Sequence, residues 1–223
     1  MKSPIPVICG AGSNCTRTQL EKSRRYHDMG ADGLLLITPY YNKANEEGMY
    51  RHFATVADAV DIPILLYNVP GRTGCSISES CCERLAAHPN IAGIKEASGN
   101  IAYTARIARR VGKDFCLFSG NDDMIVPVMS LGGCGVISVL ANICPRQTHE
   151  LVAAYASGDT ARARELQLAY LDLIDALFCE VNPIPIKEAM NQLGMDVGGC
   201  RLPLCEISPQ GRERVRRALE VIR

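Results

Sequence analysis

The sequence predicts an α/β fold built on a parallel β-sheet. Short β-rich runs alternate with helical segments through the first two thirds of the chain, and only helical segments follow. The β-rich runs are almost continuously apolar, which is typical of strands covered by helices on both faces. Right-handed crossovers join such strands into a parallel sheet. A chain of 223 residues with 47% hydrophobic content is long enough to bury a large core.

Six segments are predicted as strands, with helices between and after them. The capping boxes Thr16-x-x-Gln19 and Ser76-x-x-Glu79 each predict a helix start. The predicted strands are Pro6–Cys9, Gly33–Ile37, Pro63–Tyr67, Ala92–Lys95, Phe115–Ser119 and Gly135–Val139. After them the predicted helices are Pro145–Ala156, Asp159–Cys179, Pro185–Leu193 and Pro209–Ile222, with no further strand.

The balance of charges disfavours nucleic acid and anionic membranes as partners. Lys and Arg total 24, as do Asp and Glu, so no net charge favours nucleic acid or an anionic membrane surface. The first residues contain no signal-peptide core, and no apolar run reaches the length of a membrane-spanning helix. We therefore expect a cytoplasmic protein that binds neither nucleic acid nor membrane.

Metal and cofactor signals are weak. The 11 cysteines include no Cys-x-x-Cys pair, and the four histidines form no His-Glu-x-x-His pattern. We expect no metal, and reduced, mostly buried cysteines that act as small hydrophobic residues. Gly10-x-Gly12 resembles the start of a dinucleotide fingerprint, but Cys15 occupies the third glycine position. No cofactor is expected.

Lys95 is the first candidate catalytic residue. It lies at the end of a predicted strand, and in α/β folds the carboxyl ends of strands carry the ligand site. Partial desolvation there disfavours the ammonium form, so the amine can attack a ketone and form a Schiff base. The alternative is a lysine that extends from the strand end into solvent.

Three further residues lie at neighbouring strand ends. A parallel sheet places Tyr67 beside Lys95, where its phenol can carry protons; the alternative is a ring that packs beneath a helix. Arg72 follows in a Pro-Gly turn, where it can bind a substrate carboxylate or remain a solvated loop arginine. The tandem rings Tyr40 and Tyr41 indicate one ring at the site and one facing a partner subunit.

Four motifs together resemble the dihydrodipicolinate synthase family, also called 4-hydroxy-tetrahydrodipicolinate synthase. The resemblance runs from about residue 5 to the C-terminus, and the separation of Tyr67 from Lys95 matches the family. The motifs are Thr38-Pro39-Tyr40-Tyr41-Asn42, Tyr67-Asn68-Val69-Pro70-Gly71-Arg72-Thr73-Gly74, Gly93-Ile94-Lys95-Glu96-Ala97-Ser98-Gly99 and Gly135-Val136-Ile137-Ser138-Val139.

The resemblance implies a TIM-barrel type (β/α) fold and a homo-oligomer, either a dimer or a tetramer. Residues 1–157 would form the barrel part and residues 158–223 a C-terminal helical domain. The family barrel has eight strands, and this chain begins where the third should begin, so six strands are expected. The family's Gly-x-x-Gly-Glu loop, which binds the pyruvate carboxylate, has no counterpart here. A fragment, a late-started gene model and a genuine short form each account for this.

The resemblance also implies a reaction. Lys95 would condense with pyruvate, and the enamine would attack aspartate semialdehyde to give 4-hydroxy-tetrahydrodipicolinate, in the diaminopimelate route to lysine. Tyr67 matches the family's proton donor and acceptor, and Tyr41 the relay tyrosine that crosses a dimer interface. Arg72 matches the arginine that binds the semialdehyde carboxylate, and Ile137 a position that contacts pyruvate.

Two alternatives stay open at this point. One is a noncatalytic short homologue that keeps the lysine pocket without turnover. The other is a different pyruvate-dependent aldolase, of the N-acetylneuraminate lyase or sugar-acid aldolase type. Arg72 within its Tyr-Asn-Val-Pro-x-Arg-Thr-Gly string favours the synthase. Asn14 and Tyr40 alone do not define a lysine-inhibition pocket.

Overall fold

The structure is a computed structural model that describes residues 5–222. Six strands form one sheet in chain order, and each of β1 to β4 pairs in parallel with the strand that follows it. The strands are β1 (Ile8–Gly10), β2 (Gly33–Ile37), β3 (Ile64–Asn68), β4 (Ile91–Glu96), β5 (Cys116–Ser119) and β6 (Gly135–Val136). Parallel strands in chain order are the arrangement of a (β/α)-barrel wall, so the predicted α/β class is confirmed.

Helices follow the strands and make up the C-terminal part. They are α1 (Thr16–Asp28), α2 (Glu46–Ala57), α3 (Pro70–Thr73), α4 (Glu79–Ala86), α5 (Ile101–Arg110), α6 (Ile125–Ser130), α7 (Pro145–Ala156), α8 (Thr160–Ala169), α9 (Leu171–Leu177), α10 (Ile184–Gln192) and α11 (Pro209–Ala218). Short 3-10 turns lie at Asp122–Met124, Leu140–Asn142 and Leu219–Ile222.

The chain divides into two compact units. The first contains the residues up to Gly120 together with Pro127–Gly135, and its core includes fully buried Leu34, Phe53, Ile64, Leu66 and Ile94. The second contains Asn121–Val126 and the residues from Val136 onward. Its core is a cluster of helix side chains that includes Leu140, Leu173, Leu177, Ala189 and Val215. The predicted domain boundary between residues 157 and 158 stays a prediction.

The predicted strands are present, with small shifts at their ends. The largest shift is at β6, which ends at Val136 instead of Val139. The backbone N–H groups of Val139 and Leu140 both donate to the Asp122 carboxylate at 2.9 Å, and a 3-10 turn begins at Leu140. A side chain therefore takes the hydrogen bonds that a longer strand would need.

Three finer predictions were wrong. Cys15 precedes α1 and Ser78 caps α4, so neither predicted capping box forms. The helix predicted over Asp159–Cys179 is divided at Tyr170 into α8 and α9. All 11 cysteines are free, but only Cys81, Cys82 and Cys144 are buried, because several others lie in connections between elements.

Candidate active site

Lys95 and Tyr67 lie side by side at the carboxyl ends of adjacent strands. They are register partners in the β3–β4 pair, as predicted from the strand ends. Paired residues of neighbouring strands point to the same face of the sheet. The Lys95 Nζ atom lies 4.5 Å from the centroid of the Tyr67 ring, within the range of a cation–π contact. Both side chains are half-buried, so the amine stands in a partly desolvated site beside a phenol.

The Tyr67 phenol keeps its proton at neutral pH. Burial raises the pKa of Tyr67 above its usual value, and the nearby Arg72 guanidinium opposes that shift. The phenol is therefore available as a proton donor beside the Lys95 amine.

The turn that carries Arg72 is held by its neighbour Thr73. The Thr73 hydroxyl donates to the Cys75 carbonyl at 3.0 Å and accepts from the Thr38 hydroxyl at 3.1 Å. Gly74 ends the turn in the left-handed region with φ 72°, where a glycine has no Cβ penalty. Arg72 itself is exposed. A fixed backbone and an accessible guanidinium suit the binding of a carboxylate.

Tyr41 occupies a different environment from Tyr67. Its side chain is 89% exposed, and its backbone is in the left-handed region with φ 73°. Such a conformation is uncommon for a residue other than glycine. The Tyr41 backbone N–H donates to the Thr73 carbonyl at 3.3 Å, so the loop is attached to the Arg72 turn while the ring faces solvent.

Ile137 belongs to the second compact unit. It directly follows β6 and is half-buried. The next turn is held by the Asp122 carboxylate and by the Ser138 hydroxyl, which accepts from the Ala141 N–H at 2.8 Å. The backbone around Ile137 is therefore fixed within its own unit.

Gly120 is one residue of the site that the sequence analysis missed. A Cβ atom at this position would lie 3.1 Å from Lys95 Cε and 2.5 Å from Ala97 Cβ. Its backbone N–H donates to the Glu96 carbonyl at 2.7 Å. The absence of a side chain at Gly120 leaves the space that the Lys95 stem occupies. The available signal was its position immediately after β5, beside the strand of Lys95.

Asn68 and Glu96 were also missed. They directly follow Tyr67 and Lys95, are themselves register partners, and are 0% and 3% exposed. Asn68 Nδ2 donates to Glu96 Oε2 at 2.7 Å. Burial raises the pKa of Glu96, and hydrogen bonds from Ser98 and Asn68 oppose that shift. Two polar residues at paired strand ends are the sequence signal that could have found this contact.

The described residues offer no evident metal site. Within residues 5–222, no group of three or more His, Cys, Asp or Glu side chains is arranged to hold a metal ion. No helix in the same range combines the length and hydrophobicity that crossing a bilayer requires.

Comparison with known proteins identifies the family to which this site belongs. The sequence profile of the dihydrodipicolinate synthetase family matches residues 1–222. The chain belongs to this family. A 4-hydroxy-tetrahydrodipicolinate synthase from Caldicellulosiruptor saccharolyticus is 52% identical over 214 residues, which cover 96% of this chain and 72% of that protein.

Solved structures of dihydrodipicolinate synthases share this fold. The enzyme from Thermotoga maritima aligns with a TM-score of 0.95 and 41% identity, over 97% of this chain and 75% of its own. The chloride-inhibited enzyme from Acinetobacter baumannii, complexed with pyruvate, aligns with a TM-score of 0.95 and 42% identity, over 98% and 75%. The chain is thus a lyase of the dihydrodipicolinate synthase type.

Proposed function

We propose that this chain condenses pyruvate with aspartate semialdehyde to 4-hydroxy-tetrahydrodipicolinate, as a step of lysine biosynthesis. The observation that carries the proposal is the half-buried Lys95 amine, 4.5 Å from the ring centroid of Tyr67 at adjacent strand ends. Two relatives support it. The Caldicellulosiruptor relative is named as this synthase, and the Acinetobacter relative binds pyruvate.

Lys95 acts first as a nucleophile. The neutral amine attacks the keto carbon of pyruvate, and the keto oxygen becomes the hydroxyl group of a carbinolamine. That hydroxyl leaves as water after it takes a proton, and the nitrogen keeps its bond to carbon as an imine. Tyr67 supplies the proton, since its raised pKa keeps the phenol protonated at neutral pH.

The second substrate then reacts with the enamine. The Tyr67 phenolate takes a proton from the methyl group, which converts the imine to an enamine. The enamine carbon attacks the aldehyde of aspartate semialdehyde, and the aldehyde oxygen takes the proton back from Tyr67 to become a hydroxyl group. Arg72 binds the carboxylate of the semialdehyde, and Ile137 contacts the pyruvate-derived part. The amino group of the adduct displaces Lys95 from the imine carbon, which closes the ring and frees the enzyme.

The proposal includes the finer features that the family resemblance implies. The six strands correspond to six of the eight strands of a TIM barrel, and the C-terminal helices form a separate domain. The enzyme is a cytoplasmic homo-oligomer that uses no cofactor. Tyr41 of one subunit completes the proton relay in its neighbour, which agrees with a ring that is 89% exposed.

Reductive trapping tests the nucleophile. Incubation with pyruvate and borohydride should leave a stable adduct on the peptide that contains Lys95, detected by mass spectrometry. Lys95→Arg keeps the charge, removes the nucleophile and should abolish the adduct, whereas Lys113→Arg, at an exposed position, should retain it. Wild-type protein that forms no adduct would favour a noncatalytic homologue and end the enzymatic proposal.

A competition assay tests the second substrate. Aspartate semialdehyde and N-acetylmannosamine are offered together with pyruvate, and both products are quantified. We expect consumption of the semialdehyde, and Arg72→Ala should raise its KM more than it lowers kcat, because Arg72 binds a carboxylate away from the reacting carbon. Preference for N-acetylmannosamine would show that the protein is a different pyruvate-dependent aldolase and not the synthase.

Mixing two inactive variants tests the role of Tyr41. Lys95→Arg lacks the nucleophile, and Tyr41→Phe lacks the relay hydroxyl. In a mixed oligomer, a subunit with Lys95 receives Tyr41 from its partner, so mixing after mild dissociation should restore part of the activity. Activity that stays absent in a mixture shown by mass to contain both subunits would place Tyr41 outside the neighbouring site.

A further inference from the structure

We propose that Asn68 and Glu96 form a positioning pair that sets the geometry of Tyr67 and Lys95 from the opposite face of the sheet. The inference rests on the proposed function, because it concerns how the Schiff-base nucleophile is held. Neither residue is suggested to touch substrate.

The first support is the position of the pair along the strands. Asn68 follows Tyr67 in β3, and Glu96 follows Lys95 in β4. Successive side chains of a strand point to opposite faces, so the pair lies on the reverse side of the sheet from the Lys95–Tyr67 contact. Both pairs are in register, and a 2.7 Å hydrogen bond therefore joins the two strands directly behind the reacting groups.

The second support is the direction of each hydrogen bond. The Ile77 N–H donates to Asn68 Oδ1 at 3.1 Å, which requires the oxygen of the amide on that side and leaves Nδ2 to donate to Glu96 Oε2. The Ser98 N–H donates to Glu96 Oε1 at 2.6 Å. The carboxylate only accepts and the amide is fixed in one orientation, so this chain of bonds has a single arrangement.

The third support is what the chain of bonds connects. Ile77 lies beyond the turn that carries Arg72, and Ser98 lies in the loop that follows Lys95. The Tyr103 hydroxyl of α5 donates to the Ile77 carbonyl at 2.6 Å, so a second hydrogen bond holds the backbone at Ile77. One network, buried at its centre and part-buried at its ends, thus fixes both loops that leave the site, in addition to the two strand ends.

The Glu96 carboxylate is buried, and burial of a charge carries a free-energy cost. Glu96 is 3% exposed, and burial is the largest cause that raises its pKa. Titratable groups that face it include the Cys82 thiol of α4 and the Tyr103 phenol of α5, and burial raises the pKa of both. A carboxylate in such surroundings is expensive unless its hydrogen bonds are all made. A contact that served packing alone would not need this charge.

Exchanging the two functional groups tests the pair. Glu96→Gln alone turns an amide NH2 toward the NH2 of Asn68, so two donors oppose each other. Asn68→Asp alone brings two carboxylates together, and one of them must hold a proton. The double variant Asn68→Asp/Glu96→Gln restores every bond. The carboxylate introduced at position 68 accepts from Ile77 and from the amide introduced at position 96, and that amide accepts from Ser98.

The experiment measures, as a function of pH, the rate at which the borohydride-trapped pyruvate adduct forms. It also measures kcat and KM. Each single variant should slow adduct formation by roughly 10- to 100-fold, because small displacements of reacting groups have such effects. The double variant should recover most of that loss. For Asn68→Asp, the rate relative to wild type should fall as pH rises, since the second carboxylate then ionises. Glu21→Gln, an exposed carboxylate exchange, should match wild type throughout.

The outcomes separate the two proposals. Wild-type protein that forms no adduct overturns the proposed function. Wild-type protein that forms the adduct, with folded single variants that match its rate and pH profile, overturns only the positioning pair. Where a single variant does not fold, the double variant decides: recovered adduct formation supports the pair, and a folded double variant without it overturns the pair.

Discussion

At position 120, the absence of a side chain leaves the space that Lys95, the proposed nucleophile, occupies. The Lys95 stem passes within contact distance of Gly120, and the Ala97 methyl group lies on the same side. The backbone N–H of Gly120 is also fixed by the Glu96 carbonyl, so the glycine backbone has little freedom to retreat from an added atom.

We predict that Gly120→Ala displaces Lys95 and lowers the rate of pyruvate adduct formation by at least about tenfold. The new methyl group would lie 2.5 Å from Ala97 Cβ and 3.1 Å from Lys95 Cε, and overpacking of this kind costs about 1–3 kcal/mol of stability. Trapping kinetics and the thermal midpoint measure the two effects. Gly112→Ala is the matched control, because a Cβ there meets nothing within 4 Å. Equal rates for both variants would contradict the prediction.

The neighbouring positions of Tyr67 and Lys95, the proposed reacting residues, were predictable from the sequence, whereas the contacts that hold them were not. Tyr67 and Lys95 each end an apolar run, and parallel strands bring such ends together whatever the rest of the fold does. The roles of Asn68, Glu96 and Gly120 depend on which face is buried and which atoms approach within about 3 Å, the length of a hydrogen bond. A strand-end position can mark these residues in the sequence, but their contacts arise from tertiary packing, which no local pattern encodes.

At the scale of single elements, the start of α4 shows how neighbouring serines compete to cap a helix. The sequence around α4 contains three serines near the start, and the pattern Ser76-x-x-Glu79 favoured the first of them. In the structure Ser78 is the cap, and its hydroxyl accepts from the Cys81 N–H at 3.1 Å. Ser78 also donates to Glu46 of α2 at 2.7 Å, so a tertiary partner fixes this register of the helix start.

We predict that Ser78→Ala lowers the free energy of unfolding by about 1 kcal/mol, since it removes the cap and leaves the Cys81 N–H without that acceptor. Ser76→Ala, the residue favoured by the sequence pattern, is exposed and should change stability by less than about 0.5 kcal/mol. Denaturant unfolding measures both. A larger loss of stability in Ser76→Ala than in Ser78→Ala would support the predicted capping box instead.

His52 of α2 is buried beside the start of α1. The imidazole is 4% exposed, and its Nδ1 lies 2.8 Å from the Thr16 hydroxyl of α1. Burial lowers the pKa of His52, while a backbone hydrogen bond with Ser13 opposes the shift. A folded-state pKa below the unfolded one means that this stability is fully present above about pH 6.5 and is lost as pH falls through the folded value.

We predict that His52→Asn weakens the dependence of stability on pH between neutral and mildly acidic conditions. The amide oxygen can replace Nδ1 at Thr16 and takes up no proton in this range. Unfolding free energies at several pH values give the slope, which separates titration from the loss of packing that lowers stability at every pH. His149→Asn, at an exposed position, should leave the slope unchanged. An unaltered slope in His52→Asn would show that other groups cause the acid sensitivity.

At the scale of the whole molecule, the sequence predicted the order of the strands better than it predicted which side chains are buried. Alternation of apolar runs and helices predicted a parallel sheet, and the strands do follow chain order. Exposure of individual side chains was harder to predict, and the cysteines show why. A thiol is small enough to fit a core or a turn, so hydrophobicity alone does not decide between Cys82 in a buried helix face and Cys205 in an exposed connection.

Cysteine alkylation under native conditions should report these environments across the chain. Burial raises the pKa of Cys81 to about 11, of Cys82 to about 12 and of Cys144 to about 11. The backbone N–H and hydroxyl of Thr18 lower the pKa of exposed Cys15. Since the thiolate is the reactive form, a thiol of pKa about 11 carries only about one thousandth of it at pH 8.

We predict that iodoacetamide at pH 8 modifies Cys15 first among these four residues, and that Cys81, Cys82 and Cys144 react only after denaturant is added. Raising the pH to 9 multiplies the thiolate fraction of these thiols about tenfold, but it should accelerate their modification little, because access of the reagent to a buried thiol limits the rate. Peptide mass spectrometry over a time course gives each rate, and the fully denatured chain supplies the reference for intrinsic reactivity. Native modification of Cys82 or Cys144 as fast as Cys15 would contradict the burial that the cores of both compact units require.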